Sequence, residues 1–180
     1  MKATGIVRRI DDLGRVVIPK EIRRTMHIRE GEPLEIFTDR DGELILKKYS
    51  PIGELSQFSF QICESLRKSV KGTAAVCDRE AFISAAGNGK KEIQDKEISP
   101  ELNEIMNSRK AYCLKKGEPR LPALKNEDKL HISAACPVVS QGDVMGCVLI
   151  LNTGDSFDSS ETEQQLVNSM SRFLSMQMDD

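Results

Sequence analysis

The sequence contains no tryptophan, few other aromatic residues and no long hydrophobic run. Its longest apolar stretch, Val144 to Leu151, is much shorter than the roughly 20 apolar residues that a membrane helix needs. The first residues, MKATGIVRR, have no apolar core of the kind found in secretory signals. We therefore expect a cytoplasmic protein without a membrane partner.

The chain is also poor in residues that hold metals, disulfides or catalytic centres. It has two histidines, His27 and His131, and five cysteines without a CxxC pair: Cys63, Cys77, Cys113, Cys136 and Cys147. The sequence has no HExxH, GxSxG or Walker phosphate loop, and GNGKK at 87–91 is interpreted as a surface turn. We predict no metal site, no cofactor and no enzymatic activity.

Charge is distributed unevenly along the chain. Residues 1–29 carry eight basic and three acidic side chains, a net charge of +5. The remaining 151 residues carry 18 basic and 25 acidic side chains, a net charge of −7. A basic end on an acidic chain is typical of a protein that binds a polyanion at that end.

The basic end is predicted to hold two short strands and a short helix. The strands cover 4–10 and 15–18 and are joined by a turn at Asp11–Gly14, which the Asp11-Asp12 carboxylates are expected to order rather than bind a metal. Pro19 then begins a helix with Ile22 and Met26 on its apolar stripe. Arg23 and Arg24 fall off this stripe and are expected to face outward.

A β-hairpin is predicted next, around the loop Arg40-Asp41-Gly42. A three-residue loop pairs residue i with residue 82 − i, which places four apolar side chains on one face: Leu34, Ile36, Leu44 and Leu46. Two hairpins and one helical turn in about 50 residues bury too little apolar surface to fold alone. We therefore expect an obligate dimer.

Residues 5–37, with the core D-x-x-G-R-V-V-I-P-K-E-I-R at 11–23, closely resemble the AbrB-type swapped-hairpin DNA-binding domain of bacterial transition-state regulators. The resemblance implies a dimer in which hairpins of two chains interleave and bind double-stranded DNA. It also implies which basic side chains contact DNA. These are Arg8, Arg15, Arg23 and Arg24, with Arg9 and Lys2 as secondary candidates.

The rest of the chain alternates helices and strands in the order α-ββ-α-β-ββ-α, which favours an antiparallel sheet with helices on its faces. Amphipathic helices are predicted at 54–70 and 160–178, the latter with a Ser160–Glu163 capping box. Another helix begins at Ser99-Pro100-Glu101. Residues 110–128 are polar and broken by glycine and proline, and we expect a mobile connection there.

The pattern P-x-x-x-x-G-D-x-x-G at 137–146 and the helix order resemble the GAF domain of sporulation-stage transcription regulators from spore-forming bacteria. The resemblance implies an α+β fold with an AbrB-type DNA-binding domain at 1–50, a short linker at 51–55 and a GAF-like regulatory or oligomerisation domain at 56–180. It further implies a nucleoid-associated, sequence-specific activator and repressor of sporulation-stage genes.

The cysteines allow an enzymatic alternative, a GAF-fold reductase. A hairpin around the two-residue loop Gln141-Gly142 pairs residue i with residue 283 − i and places Cys136 opposite Cys147. The expected side-chain direction is poor for a disulfide, which favours two core thiols over a redox pair.

Three further questions stay open. Apolar positions outside the main stripes of the two long helices, namely Phe60, Cys63 and Val167, predict an interface between C-terminal domains and hence a tetramer. An unidentified small molecule bound under a lid at 110–128 is an alternative to a scaffolding role. An antitoxin is an alternative function, since the same N-terminal domain occurs in toxin–antitoxin pairs, but residues 51–180 have the pattern of a folded domain.

Overall fold

The computed structural model describes residues 5–94, 96–154 and 160–179. The chain divides into two compact units, Met1–Tyr49 and Ser50–Asp180. We call the first unit the head and the second the body. The α+β fold class expected from the sequence is confirmed, since helices and antiparallel strands both occur.

The head contains one helix and one hairpin. Helix α1 covers Lys20–Thr25, directly after Pro19, and strands β1 and β2 cover Leu34–Thr38 and Leu44–Lys48. The strands are antiparallel with Leu34 opposite Lys48 and Thr38 opposite Leu44. This is the register predicted from the loop length, and the loop residue Gly42 has the positive φ of +80° that such a loop requires.

The two strands predicted before α1 are not formed. Residues 5–18 contain the predicted turn, closed by a 3.0 Å hydrogen bond from Gly14 N–H to Asp11 C=O, but no strand on either side of it. An extended segment becomes a strand only when its backbone pairs with another. In the described part of this single chain, residues 6–10 and 15–18 have no such partner.

The head has almost no core of its own. Among its described residues Pro19 alone is buried, whereas Val7 is 84% and Leu44 is 69% exposed. The other strongly exposed apolar side chains are Ile10, Leu13, Val16, Val17 and Ile36. So many exposed apolar side chains in one small unit indicate an interaction surface.

The body is built on one antiparallel sheet. Its helices are α2 Pro51–Glu54, α3 Ser56–Arg67, α4 Lys90–Ile93, α5 Pro100–Ser108 and α6 Glu161–Asp179. Its strands are β3 Thr73–Cys77, β4 Phe82–Ala86, β5 Tyr112–Cys113, β6 Pro122–Leu124, β7 Glu127–Ser140 and β8 Asp143–Asn152. The order is β4-β3-β8-β7-β5, with β6 also paired to β7.

Each face of the sheet has its own apolar cluster. On one face, Leu102 and Met106 of α5 pack among core residues that include Leu149. On the other, Leu66 of α3 and Leu174 of α6 pack among residues that include Val148. The sheet is therefore a middle layer between helices, as the sequence predicted.

The predicted helix starts are confirmed. The Ser99 hydroxyl accepts a 3.0 Å hydrogen bond from Leu102 N–H at the start of α5. At the start of α6, Ser160 Oγ accepts from Glu163 N–H at 3.1 Å and Glu163 Oε2 accepts from Ser160 N–H at 3.4 Å. This reciprocal pair is the predicted capping box.

The N-terminal end of the body is held by its own helix. Residues 51–55, where the sequence suggests a linker, contain α2 and the fully buried Ile52. The Ser50 hydroxyl accepts a 3.1 Å hydrogen bond from Gly53 N–H and so caps α2.

The expectation of a mobile connection at 110–128 is wrong for part of that segment. It contains β5 and β6, both paired with β7, and buries Ala123 and Leu124 in the core. Pro122 is compatible with β6 because this is a short edge strand. Burial of Ala123 and Leu124 stabilises this strand although the residues around it are polar.

The predicted Cys136–Cys147 pairing is also wrong. The turn at Gln141-Gly142 forms, and Ser140 lies opposite Asp143 as predicted, but a β-bulge at Met145 shifts the register by one residue. Cys147 therefore lies opposite Pro137 and packs in the α5-side cluster, whereas Cys136 packs against the cluster beneath α3 and α6. A one-residue shift reverses the face that a side chain occupies.

Gly146 follows the bulge, at a point where β8 lies very close to β3 and α2. A Cβ there would lie 2.0 Å from the carbonyl oxygen of Cys77 and 2.6 Å from Cδ1 of Ile52. No larger residue fits without moving β3 or α2, which gives the last glycine of the 137–146 pattern a physical reason.

Helix α6 is hydrogen-bonded to the backbone of β7. Ser171 Oγ donates a 2.7 Å hydrogen bond to Pro137 C=O, and Ser175 Oγ donates to Val139 C=O. Beyond Ala135, the pairings of the described residues give β7 no strand partner on the side away from β8. The serines therefore satisfy carbonyl groups that no described strand reaches.

Candidate nucleic-acid interface

Among the candidate DNA-binding residues, Arg15 has a side-chain ion pair that fixes its position. It follows the Gly14 turn, and its Nε donates a 2.8 Å hydrogen bond to Asp11 Oδ2 in an i,i+4 ion pair. The Arg15 side chain is 69% exposed, so this contact fixes its direction without covering it. The guanidinium can still donate from both terminal nitrogens to an anion.

Asp11 also organises the backbone of this turn. Its Oδ1 accepts hydrogen bonds from Leu13 N–H at 3.0 Å and from Arg15 N–H at 2.8 Å. The Arg15 amide and then the Arg15 side chain are the main causes that lower the pKa of the Asp11 carboxyl below its ordinary value of 3.8. The sequence indicated a turn-ordering role for Asp11, but not that it pairs with Arg15.

The two arginines of α1 differ in burial. Arg24 is exposed, as expected, whereas Arg23 is half-buried. The Nε of Arg23 is enclosed and has no hydrogen-bond partner within the described structure. The expectation that both face outward is therefore wrong for Arg23. Ile22, beside it in sequence, is itself only half-buried, so the two sides of this short helix are less distinct than its apolar spacing suggested.

The remaining candidates lie in the unpaired segment before the turn. Arg8 and Arg9 are exposed, and Arg8 Nη1 donates a 3.3 Å hydrogen bond to Val7 C=O. Lys2 lies outside the described residues. Within one chain, the positions that the structure organises most closely are therefore Asp11 and Arg15.

Metal-ligating side chains and thiols of the described residues were the candidates for chemistry in the body. No group of three or more histidine, cysteine, aspartate or glutamate side chains among the described residues has the arrangement of a metal site. Burial raises the pKa of the Cys63 thiol to about 12, and burial also raises the pKa values of the Cys77 and Cys147 thiols. These thiols are protonated at neutral pH and are poor nucleophiles.

A small cavity lies at one edge of the body's sheet. Its lining includes Leu114, Arg120, His131 and Asn152. Arg120 Nη1 donates a 2.7 Å hydrogen bond to Gly154 C=O across this edge.

No helix of the described residues is long and apolar enough to span a bilayer.

Comparison with known proteins identifies the family of the chain. A family model described as stage V sporulation protein T C-terminal, transcription factor, matches residues 54–179. Stage V sporulation protein T of Bacillus subtilis (strain 168) is 45% identical over 181 residues, covering 99% of each chain. The chain belongs to the stage V sporulation protein T family. The resemblance to sporulation regulators noted in the sequence is thereby confirmed.

Two solved structures are similar to separate parts of this family member. The N-terminal DNA recognition domain of the Bacillus subtilis regulator AbrB is 63% identical, covering 28% of this chain and 94% of that one, with a TM-score of 0.25. A GAF domain/HD domain protein from Geobacter sulfurreducens is 18% identical, covering 69% of this chain and 91% of that one, with a TM-score of 0.50. The second likeness shows the GAF fold of the body.

A further family model, for the bacterial antitoxin MazE, matches residues 7–54. It covers the head from residue 7 onward and the first helix of the body. The head alone is therefore shared with antitoxins, while the larger part of the chain matches the sporulation family.

Proposed function

We propose that this chain is a sequence-specific DNA-binding transcription regulator of sporulation-stage genes, acting as activator and repressor. The observation that carries this proposal is the exposed Arg15, held by Asp11 at a turn of the basic head. The AbrB DNA recognition domain, with 63% identity, supports the same conclusion.

The proposed DNA surface contains the arginines on either side of the turn and on α1: Arg8, Arg15, Arg23 and Arg24, with Arg9 and Lys2 secondary. Guanidinium groups bind phosphates and guanine edges in bidentate fashion. We assign DNA binding to residues 1–50, linkage to 51–55 and regulation or oligomerisation to 56–180.

The head acts as a dimer in this proposal. Its exposed apolar side chains include Val7, on a segment that lacks a strand partner in one chain, and Leu44, at the start of β2 in the β1–β2 hairpin. A second head that interleaves its hairpins would supply both the missing backbone partners and the missing core. The dimer then presents two copies of Arg15 to DNA.

The body is proposed to join two head dimers into a tetramer. Phe58 of α3 and Phe173 of α6 lie with ring centroids 6.3 Å apart and both remain partly exposed. Phe60 and Met176 add exposed apolar surface on the same two helices. Of the positions from which the sequence predicted this interface, Cys63 and Val167 are buried within the chain, so Phe60 alone is available.

A GAF-like body can also regulate by binding a ligand. The packed clusters on both faces of its sheet favour a scaffolding role that sets assembly. We therefore propose assembly as its main contribution and an unidentified small molecule as a secondary one. The protein is proposed to be cytoplasmic, nucleoid-associated and without enzymatic activity.

The antitoxin function has one observation in its favour, the match of residues 7–54 to an antitoxin model. Antitoxins with this head bind a toxin through their C-terminal segment. Here the C-terminal segment is a folded body with two apolar clusters. A small toxin that co-purifies with the chain would support this second function.

DNA binding measured against salt tests the proposal. Titration of promoter fragments from sporulating cells with the full-length protein should reveal specific binding that weakens steeply with salt. A dimer with about 6–10 phosphate contacts loses roughly 10³–10⁵ in affinity between 50 and 200 mM salt. Arg15→Ala should weaken DNA binding and flatten the dependence of affinity on salt. The control is Arg67→Ala, at an exposed position of the body. Equal binding by wild type and Arg15→Ala would contradict the site.

A further inference from the structure

Asp11 divides its two carboxylate oxygens between the backbone and Arg15. One oxygen accepts the amides of Leu13 and Arg15, and the other accepts Arg15 Nε at 2.8 Å. Asp11 N–H in turn donates a 3.1 Å hydrogen bond to Arg15 C=O. Residues 11–15 therefore form a small closed unit in which a single carboxylate determines the direction of one guanidinium.

We propose that Asp11 is the positioning residue for Arg15, so that recognition of DNA depends on a carboxylate that does not itself contact DNA. This inference rests on the proposed function and assigns a specific role to one acidic side chain of the site.

The planarity of the guanidinium makes this control effective. A hydrogen bond at Nε fixes the plane of the group and turns its two terminal nitrogens away from Asp11. These nitrogens form the edge that binds two phosphate oxygens, or O6 and N7 of guanine. Because the side chain is 69% exposed, the edge is accessible while its orientation is already set.

Electrostatics alone argues against a carboxylate at this place. A negative charge beside a phosphate-binding arginine repels DNA and reduces the net attraction. Asp12 has the same charge in the next position, but in the described structure no hydrogen bond or ion pair involves its side chain. The pair therefore provides a built-in comparison between a carboxylate that holds Arg15 and one that does not.

Asparagine substitution separates charge from positioning. Asp11→Asn and Asp12→Asn each remove one negative charge, which by itself should strengthen DNA binding slightly. In Asp11→Asn the amide oxygen can still accept the two backbone amides, but its NH₂ group cannot accept Arg15 Nε. We expect Asp11→Asn to bind specific DNA roughly five- to tenfold more weakly than Asp12→Asn, near the lower end of the loss expected for removing a bidentate arginine.

Combining Asp11→Asn with a substitution at Arg15 tests whether Asp11 acts through that arginine. In full-length Arg15→Ala, adding Asp11→Asn should cause no further loss of affinity. Arg15→Lys keeps the charge but lacks the planar fork, and adding Asp11→Asn to it should also cause no further loss of affinity. The slope of affinity against salt should change in Arg15→Ala and stay near the wild-type value in Asp11→Asn, because the latter keeps all basic groups.

A direct measurement complements the affinities. The Nε–H resonance of Arg15 should be resolved and slow to exchange in the wild type and in Asp12→Asn, and should broaden in Asp11→Asn. Equal binding by the Asp11 and Asp12 variants, or an equal loss in the wild-type and Arg15→Ala backgrounds, would overturn the inference. A wild-type protein without specific DNA binding would instead refute the proposed function, which keeps the two failures distinct.

Discussion

Ser50, the first residue of the body, donates a 3.0 Å hydrogen bond from its hydroxyl to Asp78 Oδ2. The same hydroxyl oxygen caps α2, and Asp78 Oδ1 accepts from the amides of Glu80 and Ala81 in the β3–β4 turn. The point at which the chain enters the body is thus tied to a turn of the central sheet. Arg79 extends this connection by donating to Asn107 Oδ1 at the end of α5.

We predict that Ser50→Ala lowers the free energy of unfolding of the body by about 1 kcal/mol, the usual loss for a removed N-cap. Urea denaturation of the full-length protein measures this change. Ser56→Ala, at an exposed position of α3, should change it by less than about 0.5 kcal/mol. A combined Ser50→Ala and Asp78→Ala variant should lose less than the sum of the single changes, since the two side chains share one hydrogen bond.

The exposed face of the head hairpin provides a test of dimerisation. Leu44→Asp is neutral if each head functions alone, because Leu44 is already 69% exposed. If a second head covers this face, the substitution buries an unpaired charge and should dissociate and unfold the head. Analytical ultracentrifugation and thermal melting at several concentrations measure the outcome. Arg40→Ala, in the exposed loop, lowers the net charge by one as Leu44→Asp does, and equal behaviour of the two variants contradicts a dimer through this face.

We predict that Gly146→Ala destabilises the body by about 3 kcal/mol, because its methyl group would overlap the Cys77 carbonyl and Ile52. Gly142→Ala is the matched control. Gly142 has a φ of +87° but open space around its Cα, so it should lose only about 1 kcal/mol from backbone strain. Denaturation midpoints compare the variants, and a smaller effect at position 146 than at 142 would argue against the tight contact.

The turn at 11–15 should respond to acid in a defined direction. Contacts with Arg15 lower the pKa of Asp11 below its ordinary value of 3.8. The carboxylate therefore stabilises the turn fully when the pH is above 3.8, and this stabilisation is lost as the pH falls through the lowered pKa. A carbon-detected NMR titration measures the value. In Arg15→Ala the pKa should rise only part of the way towards 3.8, because the backbone amide remains. A full return would mean that the side chain is the sole cause.

The elements that the sequence predicted well are those specified by local signals. The β1–β2 register follows from a loop of fixed length with Gly42 at its tight position, and the α5 start follows from Ser99 and Pro100. The i,i+4 spacing of Asp11 and Arg15 around a glycine turn was also available, and could have predicted their pairing.

The elements that it missed depend on distant partners. The shift in the β7–β8 register comes from a bulge at Met145. The next residue, Gly146, is needed because β3 and α2 lie close to it, and the neighbouring sequence does not indicate that contact. The segments at 4–10 and 15–18 have strand-like sequences, but pairing requires a second backbone. The half-burial of Arg23 likewise depends on packing that helical periodicity does not describe.

The serine contacts of α6 have a consequence for how copies of the body can meet. An uncovered strand edge invites a neighbouring molecule to extend the sheet, which leads to open-ended aggregates. With Ser171 and Ser175 bonded to the carbonyls of Pro137 and Val139, this stretch of β7 cannot serve as such a template. The interface between bodies that we propose above therefore involves other surfaces than this stretch of β7.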